Sequence, residues 1–131
     1  MRRLATLVLI IIVFQSAQAL AHPPNAMHVN YDMRRQQLNV IVQHLVNDKW
    51  KHFVNKVVVY KYGRQAWSQD FEFQTSFRNL TMPPIELPAV DGDELKVVAF
   101  CNEGGKYEQP LTVGVPEKEA TPGPIEHDVG K

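Results

Sequence analysis

Apolar and polar residues alternate along most of the chain after Ala26, the period expected for β-strands with one buried face. The candidate strands are residues 27–31, 38–46, 54–60, 66–73, 76–80, 95–101 and 111–115. Turn signals lie between them, notably Tyr62-Gly63-Arg64 and Asp91-Gly92. No segment repeats apolar residues at helical spacing over several turns. About seven short strands of this kind predict an all-β fold, an immunoglobulin-like β-sandwich.

The two ends of the chain do not share this pattern. Arg2 and Arg3 precede an apolar run that ends at Phe14, and small residues follow up to residue 21. This order is typical of a secretory signal peptide, and the run is shorter than the ~20 residues of a membrane span. We therefore predict a signal peptide over residues 1–21, a β-sandwich domain over 22–115 and a disordered tail, rich in Pro, Gly and charge, over 116–131.

A signal peptide has two consequences. It predicts a periplasmic or secreted protein with no stable membrane insertion after cleavage, although an uncleaved N-terminal anchor is the alternative. Cleavage fits equally well after Ala19 or after Ala21, and the second choice would make His22 the first residue of the mature protein.

Composition narrows the possible functions. Fourteen basic residues balance 14 acidic ones, and this balance argues against a nucleic-acid partner, since such proteins usually carry a basic surplus. Cys101 is the single cysteine, so an internal disulfide framework and a Cys-rich zinc module are both excluded.

The candidate chemistry lies in histidines and this cysteine. His44 and Cys101 lie at the ends of their predicted strands, on the face expected to point into the core. His52 lies across a loop from His44. Strand ends can meet at one pole of a sandwich, and imidazoles with a thiolate are good ligands for iron, copper or zinc. Spacing alone also fits a cysteine that serves as a small buried hydrophobe and histidines that are solvated or hydrogen-bonded.

Three short motifs favour the metal site. His22-Pro23-Pro24 comes first, then His44 followed by His52-Phe53-Val54, then Cys101-Asn102-Glu103-Gly104-Gly105. In this order they resemble the iron domain of the desulfoferrodoxin and superoxide reductase family, which has His-x-Pro, His-Pro-Met, His-Tyr-Ile and Cys-Asn-x-His-Gly segments. The resemblance implies an immunoglobulin-like sandwich with one iron held by four histidines and a cysteine thiolate. It assigns ligand roles here to His22, His44, His52 and Cys101.

The chain departs from this family at three places. Gly104 stands where the family has its last histidine, Ala21 where it has a lysine, and Leu45 where it has a proline, in a longer loop. With one imidazole fewer, the site would hold Fe(II) less tightly, and copper or zinc could compete. Glu103 and His28 are weak candidates for the missing ligand.

The sequence thus predicts an exported mononuclear metal-binding protein, most simply an iron protein that resembles superoxide reductase. Its partners would be superoxide and an unknown electron donor, and Lys49, Lys51 and Lys56 could attract the anion. Three alternatives remain: a non-catalytic periplasmic binding module that has lost the metal, a copper protein that uses an N-terminal His22, and a carrier similar to the sulfur-oxidation sandwich proteins.

Overall fold

The computed structural model describes residues 22–116, so the predicted signal peptide and all but the first residue of the predicted tail lie outside the described residues. The strands are β1 (Ala26–Asp32), β2 (Gln37–Gln43), β3 (Val54–Lys61), β4 (Arg64–Asp70), β5 (Asn79–Thr81), β6 (Ile85–Glu86), β7 (Glu94–Cys101) and β8 (Lys106–Thr112). Over this part of the chain, no helix is long and apolar enough to cross a membrane.

The strands form two antiparallel sheets. One has the order β1–β2–β5, with β6 also paired to β2, and the other has the order β4–β3–β7–β8. Because consecutive strands cross from one sheet to the other between β2 and β3, and again between β4 and β5, the two sheets enclose one core. This is the strand order of an immunoglobulin-like sandwich, and it confirms the predicted all-β fold class.

The last strand lies earlier than the sequence pattern predicted. We expected a strand over residues 111–115, whereas β8 is Lys106–Thr112 and pairs with β7 from Glu94 to Phe100. The sequence pattern missed this strand because it contains Pro110, and proline cannot donate a hydrogen bond to a neighbouring strand. It is tolerated because β8 is an edge strand, the position at which a sheet accepts proline.

The core consists of the alternating side chains that the pattern identified. Leu38, Val40 and Val42 of β2 are almost fully buried, and they pack in one cluster with Val57 of β3 and Val97 of β7. Burial of each such side chain contributes about 1.5–3 kcal/mol, so these three strands are the main source of stability. They also carry the candidate ligands at their ends.

A polar cluster holds together the end of the sandwich at which β3 and β4 are joined. Tyr62 and Gly63 both have positive φ, 49° and 76°, as a two-residue hairpin turn requires. The carboxylate of Asp93 accepts hydrogen bonds from the Val90 N–H at 2.8 Å and the Tyr62 hydroxyl at 3.0 Å, and it pairs with Lys61 Nζ at 3.0 Å. The Val90 N–H and then Lys61 hold the pKa of Asp93 below its ordinary value of 3.8.

This lowered pKa predicts an acid-dependent contribution to stability. A carboxyl whose pKa is lower in the folded state stabilises the fold above its unfolded pKa, and the contribution is lost as the pH falls through the folded value. Asp93→Asn should therefore be less stable than the wild type at pH 6, and the difference should shrink below about pH 4. Thermal unfolding of both proteins from pH 6 to pH 2.5 measures this, and a difference that stays constant or widens would contradict it.

Candidate metal centre

Four segments meet at one pole of the sandwich. Residues 22–25 lead into β1, His44 follows β2, His52 precedes β3, and Cys101 ends β7. In the register between β3 and β7, Cys101 lies opposite Val54, next to an irregularity between Val54 and Lys56. Bulges of this kind re-aim side chains, and they are common beside functional sites.

The structure brings three of the predicted ligands into one group. One ring nitrogen from each of His22, His44 and His52 lies within 4.8 Å of the other two. The ring centroids are 4.6–5.5 Å apart. Two nitrogens bound to one ion lie about 3–4 Å apart, so this spacing is close to that of a shared ion.

Cys101 is not one of the three residues of this group but lies beside it, in contact with His52. Its Sγ is 3.1 Å from His52 Nε2, and the residue is 5% exposed. A nitrogen and a sulfur that bind the same ion at usual bond lengths are about 3.1–3.6 Å apart. The contact between Cys101 and His52 therefore has the length of a pair of ligands.

Asn102 holds the cysteine turn against the segment that carries His52. Its Oδ1 accepts the Phe53 N–H at 2.8 Å, and its Nδ2 donates to the Lys51 carbonyl oxygen at 2.8 Å. Both bonds join segments 49–51 residues apart in the chain, so this one amide fixes the approach of Cys101 to His52.

Glu103 lies against the side of the His52 ring opposite Cys101. Its Oε2 is 3.5 Å from His52 Nδ1, the ring nitrogen on the side away from Cys101. Carboxylates beside metal-binding histidines commonly occupy such a place, and the Glu103 carboxylate lies outside the three-histidine group. Burial lowers the pKa of His52, and only part of this effect is offset by Glu103, so the ring is neutral and able to bind metal at pH 7.

His44 is held by a residue that the sequence analysis missed. His44 and Gln74 are both almost fully buried, and His44 Nδ1 is 3.0 Å from Gln74 Oε1. Gln74 lies between β4 and β5, in a segment that mixes polar residues with three phenylalanines and has no recognisable motif. The sequence therefore offers no signal that this glutamine, among several, points into the pole.

The position of His22 depends on a close approach at Gly105. A Cβ at Gly105 would lie 2.8 Å from Pro23 Cβ, and Gly105 has a φ of +81°. Pro24, the next residue of the same arm, is buried. The absence of a side chain at Gly105 thus lets the arm that carries His22 lie against the cysteine turn.

This contact gives a test of the role of His22. Gly105→Ala should displace Pro23 and weaken zinc binding, with an added cost of about 1 kcal/mol for an alanine at positive φ. Gly63→Ala is the matched control, because its φ of +76° is similar but nothing lies within 4 Å of the added Cβ. Zinc affinity measured by competition with a chelator should fall in Gly105→Ala alone. Equal affinities in the two variants would contradict the role assigned to the arm.

The other histidines and the lysines singled out in the sequence are not part of the three-histidine group. His28 is exposed on β1, with its Nε2 3.0 Å from Gln43 Nε2, and His127 lies outside the described residues. Lys51 and Lys56 face Asp48 and Asp70 at 4.0 and 3.8 Å, so carboxylates offset two of the three lysines proposed to attract an anion.

Gly104 replaces the fourth histidine of the family at a position with unusual backbone geometry. Its φ is +114°, in the region that side-chain-bearing residues rarely adopt, and its N–H donates to the Cys101 carbonyl oxygen at 3.0 Å. A histidine at this position would need a different turn, so the cysteine loop is built around the glycine.

The chain matches no protein-family model, and a comparison with curated proteins finds no match. The resemblance to the superoxide reductase iron domain therefore stays a prediction from the motifs. What the structure adds is the geometry: three histidines in one group beside Cys101 that could hold a metal ion.

Proposed function

We propose that this protein binds one redox-active metal ion, iron in the first instance, through His22, His44, His52 and Cys101. The single observation that supports this most strongly is the grouping of three imidazole nitrogens from distant segments, with the Cys101 thiol in contact with one of them, His52. Imidazole and thiolate ligands suit iron, copper and zinc, and they do not suit magnesium or calcium.

The electrostatics of the pole fit an ion better than a cysteine nucleophile. A nucleophilic cysteine paired with histidine needs a lowered thiol pKa. Here burial raises the pKa of Cys101, against hydrogen bonds from the N–H groups of Glu103 and Gly104, and burial lowers the pKa of His52. The pair is therefore neutral without a cation, and a metal ion would supply the positive charge that makes a buried thiolate favourable.

The proposed activity is superoxide reduction in the periplasm or outside the cell. Ferrous iron at this site would supply the one electron with which superoxide, taking up two protons, leaves as hydrogen peroxide, and an external one-electron donor would restore the ferrous state. The protein's own groups hold the ion, exclude water from Cys101 and keep His52 neutral. Four protein ligands would leave two positions on a six-coordinate ion, and a small anion could take one of them.

The proposal is tested by optical spectroscopy of the purified protein loaded with Fe(II) and then oxidised. A thiolate bound to ferric iron should give a visible charge-transfer band, which Cys101→Ala should lose while His28→Ala, a histidine outside the group, keeps it. With an added electron donor, the wild type and His28→Ala should consume superoxide, and Cys101→Ala should not. Folded protein that retains no metal after incubation with Fe(II), Cu(II) and Zn(II) in turn would overturn the proposal.

A copper site is the second candidate function, and it is favoured by the membership of His22 in the group. If cleavage follows Ala21, the α-amine of His22 would add a second nitrogen next to its imidazole. Mass spectrometry of the exported protein identifies its first residue. Copper affinity that falls when one alanine is added before His22 would support the copper site, and unchanged affinity would exclude a role for the α-amine.

A further inference from the structure

The side-chain amide of Gln74 makes four polar contacts within the pole. Its Nε2 donates to the carbonyl oxygens of His44 at 2.6 Å and Ser76 at 3.0 Å. Its Oε1 accepts the Val54 N–H at 3.3 Å and lies 3.0 Å from His44 Nδ1. The residue has no solvent exposure, so water does not compete for any of these groups.

Backbone groups fix the orientation of this amide. A carbonyl oxygen can only accept a hydrogen bond, and an N–H can only donate one. Rotating the amide by 180° would place Oε1 against two carbonyl oxygens and the NH₂ group against the Val54 N–H. The oxygen of Gln74 must therefore face His44 Nδ1. The hydrogen-bond partners thus settle which end of the amide is Oε1 and which is Nε2.

This orientation determines where the proton of His44 resides. Gln74 Oε1 is an acceptor, so the contact with His44 Nδ1 requires a proton on Nδ1. A neutral imidazole carries only one N–H, which leaves the lone pair on Nε2. His44 Nε2 is the nitrogen directed away from Gln74, and it lies 3.1 Å from the His22 carbonyl oxygen.

The same carbonyl oxygen favours the opposite tautomer. As an acceptor, the His22 carbonyl would stabilise a proton on His44 Nε2, and a protonated Nε2 cannot bind a metal. Two acceptors thus compete for the one proton of His44. Of these two acceptors, Gln74 is fully buried, and two hydrogen bonds from its NH₂ group, to the carbonyl oxygens of His44 and Ser76, hold it in place.

We infer that Gln74 is a positioning residue that holds His44 in the Nδ1-protonated tautomer, so that Nε2 is free to bind the metal. This inference rests on the proposed function for its purpose, but the tautomer itself is a property of the protein without metal. Mutating a residue that hydrogen-bonds a metal-binding histidine in this way typically lowers metal affinity by about tenfold to a hundredfold.

The test uses nitrogen-15 NMR of the full chain after metal removal, at a pH well above the usual histidine pKa of about 6.5. The wild type should show a proton on Nδ1 of His44 and none on Nε2. Gln74→Leu should move the proton to Nε2, towards the His22 carbonyl, and should weaken zinc binding by about tenfold to a hundredfold. Gln74→Glu, as a neutral acid whose O–H faces the carbonyl oxygens of His44 and Ser76, keeps an acceptor towards His44 Nδ1, and it should keep both the tautomer and most of the zinc affinity.

Two controls separate positioning from a merely structural role. Gln74→Glu offers one hydrogen where Gln74 donates two, to His44 and Ser76, so a purely structural role would weaken its zinc binding as in Gln74→Leu. Gln43→Leu removes a glutamine–histidine contact outside the pole, between Gln43 and the exposed His28, and should leave zinc affinity unchanged. Circular dichroism and thermal unfolding show which variants are folded.

The outcomes distinguish this inference from the metal proposal. A proton on Nε2 of His44 in the wild type overturns the inference without any variant, and so does a Gln74→Leu protein that keeps both the Nδ1 proton and full zinc affinity. If the wild type carries the Nδ1 proton and Gln74→Leu does not, but neither binds zinc, Gln74 still sets the tautomer and the metal proposal fails.

Discussion

Zinc at one hundred times its dissociation constant should raise the free energy of unfolding of this protein by about 2.7 kcal/mol, and Cys101→Ala should abolish most of this increase. An ion that binds only the folded protein stabilises it by mass action, and the four proposed ligands come together only in the folded chain. Zinc is the appropriate probe because it takes the same ligands without redox chemistry.

Urea denaturation with zinc and with a chelator measures this increase directly. His28→Ala is the control, since His28 lies outside the histidine group, and its zinc-dependent increase should equal that of the wild type. An equal increase in Cys101→Ala and the wild type would show that zinc binds without the thiol.

Leu38→Ala should lower the free energy of unfolding by about 2–5 kcal/mol and leave zinc affinity unchanged. Leu38 has no solvent exposure and lies within the core cluster, where truncation leaves a cavity. It pairs across the sheet with Tyr31 and Ile85, so the cavity forms away from the segments that carry the candidate ligands.

The matched control is Leu45→Ala, which removes the same atoms from a side chain that is 66% exposed, directly beside His44. Its stability should change by less than about 0.5 kcal/mol. Chemical denaturation in the presence of a chelator gives both values. A loss in Leu38→Ala as small as that in Leu45→Ala would contradict the assignment of the core, and a large loss of zinc affinity in folded Leu38→Ala would show that core and site are coupled.

The sequence pattern predicted the strands that supply most of the core. Burial alternates over the whole of β2, β3 contains four valines, and in β7 every second residue from Leu95 to Cys101 is buried, so the positions of these strands follow from the pattern. β8 was misplaced because it is half-exposed and contains Pro110. β6 has two residues and lies among prolines, and so short a pairing depends on the neighbouring strand β2 more than on its own sequence.

Only the part of the candidate site that follows from local strand pattern could be predicted from the sequence. His44 and Cys101 could be placed at one pole because strand parity and strand ends are visible in the sequence. The contact of Gln74 with His44 and the approach of Pro23 to Gly105 join segments that are distant in the chain. Such contacts depend on how the loops fold back over the pole, and no local pattern records them.

The central claim is that His22, His44, His52 and Cys101 bind one ion together, and anomalous X-ray diffraction from crystals of the metal-loaded protein tests it most directly. The account predicts a single strong anomalous peak about 2.0–2.4 Å from Cys101 Sγ and from a ring nitrogen of each of the three histidines. A peak at another position, or a peak bound by the histidines with Cys101 Sγ more than about 4 Å away, would contradict it.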